Sequence, residues 1–279
     1  MSDSQSTRRN FLQSGSAAAS ITALAAAFPA AARAYADGQQ TLKVGLVGCG
    51  GRGTDAASNA LSADPYTKLV AMGDVFEDKL AFSHSTLKRQ KELADRVDVP
   101  DEHKFVGLDA YQKVVDNVDV VLLTTPPGFR PEHFRYAVEQ GKHIFIEKPM
   151  ATDAVGVRSV RETVELSKTK PISVVAGFCW RYDESRRGLF ERVLEGQIGD
   201  VTSILGTYLT NPVRPMPAAH SRPEGITDLQ WMLRNWYNFT WLSGDGLVEQ
   251  ACHTVDWLAW AKGDVPPVSC TAVGGRQIP

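Results

Sequence analysis

Residues 41–53 read Thr-Leu-Lys-Val-Gly-Leu-Val-Gly-Cys-Gly-Gly-Arg-Gly. Leu42 to Val47 is a short apolar run of β type, and Gly48-x-Gly50-x-x-Gly53 follows it directly. Small residues then continue through about Leu61, which predicts a helix. Glycines at this spacing carry weight only between a strand and a helix, and both flank them here. Gly48 permits the tight turn, Gly50 lets the backbone approach a pyrophosphate, and Gly53 lets the helix pack close against the strand. The first turn of that helix presents free N–H groups to phosphate. A glycine-rich turn without a ligand is the alternative reading.

The pattern outward from this turn repeats. A second apolar run, Lys68 to Gly73, ends at Asp74, and a long polar helix is expected from about Glu77 to Arg96. Lys104–Val106 reads as a weak third strand, Val118–Thr124 as a strong fourth and His143–Ile146 as a fifth. Pro131 to Gln140 reads as a helix, with its proline in the first turn. Apolar runs separated by helices indicate a parallel sheet covered on both faces. The expected fold is α/β, with a Rossmann dinucleotide-binding domain over 41–165. Asp74, at the end of the second strand, can bond both ribose hydroxyls of NAD and would repel the 2′-phosphate of NADP. Lys79 and Arg52 are nearby cations that soften this preference, and a helix N-cap is the other role open to Asp74.

Residues 166–279 read as an α+β open-sheet domain for substrate and oligomerisation. Strands are expected at Ile172–Gly177, Val201–Thr210 and Val268–Val273, and helices at Asp153–Lys168, Glu184–Glu195 and Val248–Ala261. The chain stops just after the last of these strands, so the domain is expected to be incomplete, a C-terminal truncation with an exposed sheet edge.

Residues 1–36 are expected to lie outside the fold. Arg8-Arg9-Asn10-Phe11-Leu12 precedes an Ala-rich apolar stretch and an Ala34-Tyr35-Ala36 exit, the layout of a twin-arginine export signal. An extracytoplasmic, periplasmic location follows, with any cofactor loaded before export. The apolar run is too short for a stable membrane anchor. The formal net charge of −2 over 279 residues leaves no basic excess for binding nucleic acid. Four separated cysteines and no clustered ligands suggest neither a disulfide framework nor a metal site.

Gly141-Lys142-His143-Ile144-Phe145-Ile146-Glu147-Lys148-Pro149-Met150 resembles the signature of the glucose–fructose oxidoreductase and inositol dehydrogenase family, Gfo/Idh/MocA. The Thr125-Pro126-Pro127 turn, Gly177-Phe178-x-x-Arg181-Tyr182-Asp183 and Leu194 to Gly199 are similar to that family as well. Trp236-Tyr237-Asn238-Phe239 and Gly244-Asp245 resemble its secreted, planctomycete-type members. The resemblance implies that Lys148 is catalytic, that Glu147-Lys148 borders both cofactor and substrate, and that Thr125 and Pro126 border the cofactor. Read without it, Lys148 leaves a strand at the edge where open α/β sheets bind ligands. Family members often associate through the open sheet, which makes a homo-oligomer the expectation.

Glu249, His253, Asp256 and Trp260 recur at spacings that place them on one helix face. A carboxylate one turn from a histidine can orient the ring and raise its pKa. The family pattern matches at His253, Asp256 and Trp260, whereas Glu249 stands where most members have Asp. Arg181, Asp256 and Trp236 are candidates to touch substrate, although an ion pair and core packing are the plainer roles for Arg181 and the tryptophans.

These readings point to an NAD-dependent oxidoreductase for a polyol, sugar or glycoside. His253, assisted by Glu249, would take the hydroxyl proton, Lys148 would steady the alkoxide, and a hydride would pass to a tightly held nicotinamide. An NAD-dependent glycoside hydrolase working by transient oxidation and elimination is the first alternative. A non-catalytic sugar-binding protein is the second.

Overall fold

The computed structural model describes residues 41–211 and 213–275. The export-signal reading of 1–36 falls outside the described residues.

Strands and helices alternate through the first half: β1 (Leu42–Val47), α1 (Gly51–Ala63), β2 (Thr67–Asp74), α2 (Glu77–Lys88), β3 (Lys104–Val106), α3 (Ala110–Asp116), β4 (Val120–Leu123), α4 (Arg130–Glu139), β5 (His143–Ile146), α5 (Ala154–Ser167) and β6 (Val174–Ala176). The strands form one parallel sheet in the order β3-β2-β1-β4-β5-β6. That is the order of the doubly wound dinucleotide fold. Its register aligns the carboxyl ends. Val47 lies opposite Gly73 on one side and Leu123 on the other, Leu123 opposite Ile146, and Ile146 opposite Ala176. The residues that follow these ends, Gly48, Asp74, Thr124, Glu147 and Gly177, therefore share one edge.

Two cores cover the two sheet faces. Ala57 and Leu61 of α1 and Leu80 and Leu87 of α2 pack on Val44, Leu46, Leu69 and Met72. Val114 of α3, Phe134 and Val138 of α4 and Val160 of α5 pack on Val47, Ala71, Val121, Leu123, Ile144 and Ile146. Burial on both faces explains why these strands read as continuous apolar runs.

Three expectations change. The strand expected to open the second domain, Val174–Ala176, is the sixth strand of the nucleotide sheet, paired with β5. The nucleotide unit thus extends past 165. The helix expected to reach Arg96 ends at Lys88. Beyond it Leu93, Val97 and Val99 turn down into the core, and Asp98 N–H bonds Leu69 O at 2.8 Å.

The strands expected at 201–210 and 268–273 do not form: among the described residues, none after Ala176 is in a strand. The helices there are α6 (Glu184–Leu194), α7 (Asp228–Arg234), α8 (Thr240–Ser243) and α9 (Cys252–Ala261), the last preceded by a π-helical turn, Leu247–Ala251. Segment 201–210 lies against α9 rather than against another strand. A Cβ on Gly206 would sit 2.5 Å from Thr254 Cγ2, and Thr254 Oγ1 donates to Thr207 O. Leu205 and Leu209 on the opposite side are 93% exposed. The alternation is real, but a helix occupies one flank and no ladder partner the other.

Leu61 is fully buried beneath α1, whereas Leu189 on α6 is largely exposed. Leu61→Ala is expected to destabilise the fold by about 2–5 kcal/mol in urea titrations. Leu189→Ala should stay within about 0.5 kcal/mol of the parent.

Candidate active site

The glycine turn is built by contact distances. Gly48 has φ +95°, a left-handed conformation that glycine adopts without steric cost. A Cβ there would also press on Thr125 N at 2.8 Å. A Cβ on Gly53 would lie 1.9 Å from Gly48 O, so α1 rests directly on the turn. Gly50 faces open space, with nothing within 4 Å of its would-be Cβ. It is the N-cap of α1 and supplies no side chain to the helix's first N–H groups, which remain available to an anion. This cradle fits a pyrophosphate.

Asp74 closes the turn from the neighbouring strand. Its Oδ2 accepts from Cys49 N–H at 2.7 Å and its Oδ1 from Phe76 N–H at 2.9 Å. Burial pushes its carboxyl up from the ordinary range, against the pull of those two N–H groups and of Lys79. The capping alternative does not hold, because the N-cap of α2 is Phe76. Each carboxylate oxygen keeps a lone pair for a ribose hydroxyl.

These residues line a cleft of about 330 Å³ together with Arg52, Thr125, Pro126, Trp236 and Glu249. Glu147, expected to border the cofactor, is outside the lining of the cleft, 4% exposed, and accepts from Arg52 Nε at 2.7 Å. Its role is to hold Arg52 over the glycine turn. A Cβ on Gly177 would come within 3.0 Å of the Glu147 carboxylate, so that glycine makes room for it.

Lys148 lies two residues beyond the end of β5, outside the lining of the cleft, and precedes a cis peptide bond to Pro149. Its Nζ donates to Glu249 O at 2.6 Å and to Glu249 Oε1 at 3.2 Å. Glu249 is itself buried, and its Oε2 has no partner among the described residues. Burial raises its pKa, opposed by Lys148 and Arg130. The expected Glu249–His253 pair is therefore replaced by a Glu249–Lys148 pair. The reason is local: Glu249 sits on the π turn, whose i→i+5 bonding changes the angle between residues four apart.

His253 opens α9 among aromatic rings. Trp180 lies 4.6 Å away, Phe178 meets it edge-on at 6.2 Å and Tyr208 lies at 6.5 Å. Burial lowers its pKa, and Lys148 lowers it further, against Asp256. The ring is thus kept neutral and able to accept a proton, which is the reverse of the rise expected from a carboxylate neighbour.

Arg181 and Asp256, expected near substrate, are bonded to each other. Arg181 Nε lies 2.9 Å from both Asp256 oxygens, and its remaining nitrogens bond Asp264 at 2.6 and 3.0 Å. Arg181 also stacks over Trp260, which packs on Phe190 at 4.2 Å. This cluster braces α9 from behind. Trp236 does line the cleft, edge-on to Tyr237.

Sequence reasoning missed Arg130 and His133. Arg130 is 4% exposed and donates to Thr125 O and Pro149 O, stitching the loop after β4 to the turn after β5. Burial pushes its pKa down to about 10. His133 stacks on Tyr111 at 4.0 Å, and its Nδ1 lies 3.2 Å from Thr125 Oγ1. Burial pushes its pKa down to about 3.

Residues 42–178 match the GFO_IDH_MocA model, described as an oxidoreductase family with an NAD-binding Rossmann fold. Through this segment the chain matches the Gfo/Idh/MocA family. The family's NAD-binding unit is the one assembled around Gly48, Gly53 and Asp74. An inositol 2-dehydrogenase of Serratia proteamaculans is 28% identical over 205 residues, 71% of this chain and 56% of that protein. A glycosyl hydrolase family 109 protein of Porphyromonas gingivalis is 26% identical over 175 residues, 62% of this chain and 35% of its own length. The apo scyllo-inositol dehydrogenase of Lactobacillus casei shares the fold, with a TM-score of 0.55 at 24% identity over 81% of this chain and 56% of that one. The chain thus spans little more than half the length of the dehydrogenases it resembles.

Two substitutions separate folding from binding at the turn. Gly53→Ala is expected to cost about 1–3 kcal/mol of stability through overpacking and to abolish NAD binding. Gly50→Ala should leave the melting temperature unchanged but weaken NAD at least about tenfold, read by calorimetric titration. His133 gives a pH signature. Its folded pKa is depressed, so the unfolded chain takes up a proton below about pH 6.5 that the folded chain refuses, and stability falls as pH falls toward about 3. Between pH 6 and 4, His133→Asn should lose roughly 1 kcal/mol less per pH unit than the parent in denaturant titrations.

Proposed function

We propose that the protein is an NAD-dependent oxidoreductase acting on a CH–OH group of a polyol, sugar or glycoside. The carrying observation is the Lys148–Glu249 pair beyond the carboxyl edge of the sheet, with Glu249 lining a cleft shaped for a dinucleotide and His253 close enough to feel the charge of Lys148. The inositol dehydrogenase relatives support the substrate class. Bound NAD supplies the acceptor, or in reverse the donor, of a hydride.

The chain's own residues supply the proton chemistry. An ammonium carries three donors, and Glu249 takes two of those on Lys148. The third is free to meet a substrate oxygen. Both charges are largely buried, with side chains 14% and 10% exposed, so the lysine is held in one direction and its field is weakly screened. His253 is neutral and can take the hydroxyl proton. Lys148 then faces the oxygen as its negative charge develops. Trp180, packed on His253, keeps the ring from turning away and excludes water from one side of it.

A redox-neutral variant has its own support in the glycosyl hydrolase family 109 relative. There a transient oxidation would acidify a neighbouring C–H, and the glycosidic bond would break by elimination. We further propose that the protein is exported through the twin-arginine route, belongs with the secreted, planctomycete-type members and works as a homo-oligomer. The Arg8-Arg9 leader, the Trp236–Phe239 phrase and the family resemblance support these readings. An exported enzyme has no obvious pool of free NAD to recycle against, so the cofactor stays bound and is returned to its starting redox state by a second substrate or within one catalytic cycle.

Lys148→Ala and His253→Ala are each expected to lower turnover by about 10²–10⁴-fold, with NAD affinity little changed. A panel of polyols, sugars and aryl glycosides, followed by NADH absorbance and product analysis, tests both readings. Near-wild-type hydride transfer in either variant sinks the assignment, and aglycone release without net NADH selects the hydrolase.

A further inference from the structure

The end of the cleft that receives the adenosine ribose holds a second device. Asp74 is the acidic residue placed there by β2. Two residues on, the Phe76 ring carries the guanidinium of Arg234 at 4.0 Å. Arg234 comes from the C-terminal end of α7, 156 positions beyond Asp78 in the chain. Both of its terminal nitrogens are engaged there: Nη1 lies 3.0 Å from one Asp78 oxygen and Nη2 2.8 Å from the other. Asp74, Phe76, Lys79 and Arg234 all line the cleft. Asp74 is close enough that its charge helps to keep Arg234 protonated, though less than Asp78 does.

Nucleotide choice in this fold depends on charge at this point. An acid at the end of the second strand favours the ribose hydroxyls of NAD, whereas an arginine nearby accommodates the 2′-phosphate of NADP. This chain has both, and the arginine arrives from the second half of the molecule. A bidentate carboxylate on a guanidinium satisfies the same donors that a phosphate would use. Here Asp78 occupies them.

We propose that Asp78 masks Arg234, and that this masking, together with Asp74, makes the site selective for NAD over NADP. Arg234 is the latent reader of a 2′-phosphate, and Asp78 is a specificity-determining residue that acts through it. The inference rests on the nucleotide-site reading of the cleft. The masking pair is largely exposed, with side chains 35% and 59% accessible, so removing Asp78 leaves no buried charge behind.

The test compares dissociation constants of NAD and NADP for the full-length chain, by quenching of tryptophan fluorescence and by calorimetry. In Asp78→Ala and Asp78→Asn the ratio of the NADP constant to the NAD constant should fall at least tenfold. The gain should weaken as salt is raised, as a phosphate–guanidinium contact requires. Adding Arg234→Ala to Asp78→Ala should return the ratio to its starting value. An unchanged ratio in both Asp78 variants overturns the proposal, as does a gain that survives loss of Arg234. A parent chain that binds neither nucleotide overturns the nucleotide-site reading itself, a result distinct from an unchanged ratio.

Discussion

Helix α1 can begin where it does only because Gly53 has no side chain. A single carbon there would lie 1.9 Å from Gly48 O, inside any tolerable contact. The helix would be driven off the end of β1, and its first N–H groups would no longer converge on the space in front of Gly50. Much else is arranged around that contact. Thr124 Oγ1 donates to Gly48 O and Val47 O, binding the end of β4 to the same turn. Asp74 holds Cys49 N–H from the other side. Three adjacent strands thus fix one loop, and the loop determines where a pyrophosphate can lie.

Around this neutral cradle the chain buries charge, which is costly unless the charges are paired and hydrogen-bonded. Glu147 has Arg52, Lys148 has Glu249, and Arg130 has two backbone carbonyls. Each group leaves a strand end or the loop that follows one. None of them adds obvious stability, since apolar replacements of equal volume could fill the same space. What they supply is direction. Lys148 is held in one direction because Glu249 takes two of its donors, and His253 stays neutral because burial and Lys148 both oppose a second positive charge. Glu249 Oε2 and Arg130 Nε remain without partners among the described residues. Unpaired polar atoms of this kind fit a site that exchanges ligands more readily than one built only for packing.

The nucleotide unit was legible because its signals are local. Apolar runs, glycine spacing and an acid at a strand end are short patterns, and each matches what the fold needs. The strand at 174–176 was legible as a strand but not as a member of this sheet, because an apolar run does not name its neighbour. Glu249 was legible as part of the site but not its partner. The i, i+4 rule assumes an α-helix, and the π turn over Leu247–Ala251 breaks that assumption. Arg130 gave no signal because its partners are backbone carbonyls, which every residue has. The pairing of Arg181 with Asp256 and Asp264 spans 75 and 83 residues, and no local pattern reports it.

The second half of the described chain meets the nucleotide unit at both ends of the cleft, and the two meetings differ in kind. At the end where Glu249 lies, the Lys148–Glu249 pair is nearly dry. At the adenosine end the Arg234–Asp78 pair stands largely in solvent. Exposed pairs hold little energy and are screened by salt, whereas a buried pair broken apart strands a charge out of water. Opening the cleft at the adenosine end is therefore much the cheaper motion. A dinucleotide would enter past Arg234, while the geometry around Lys148 and Glu249 stays closed.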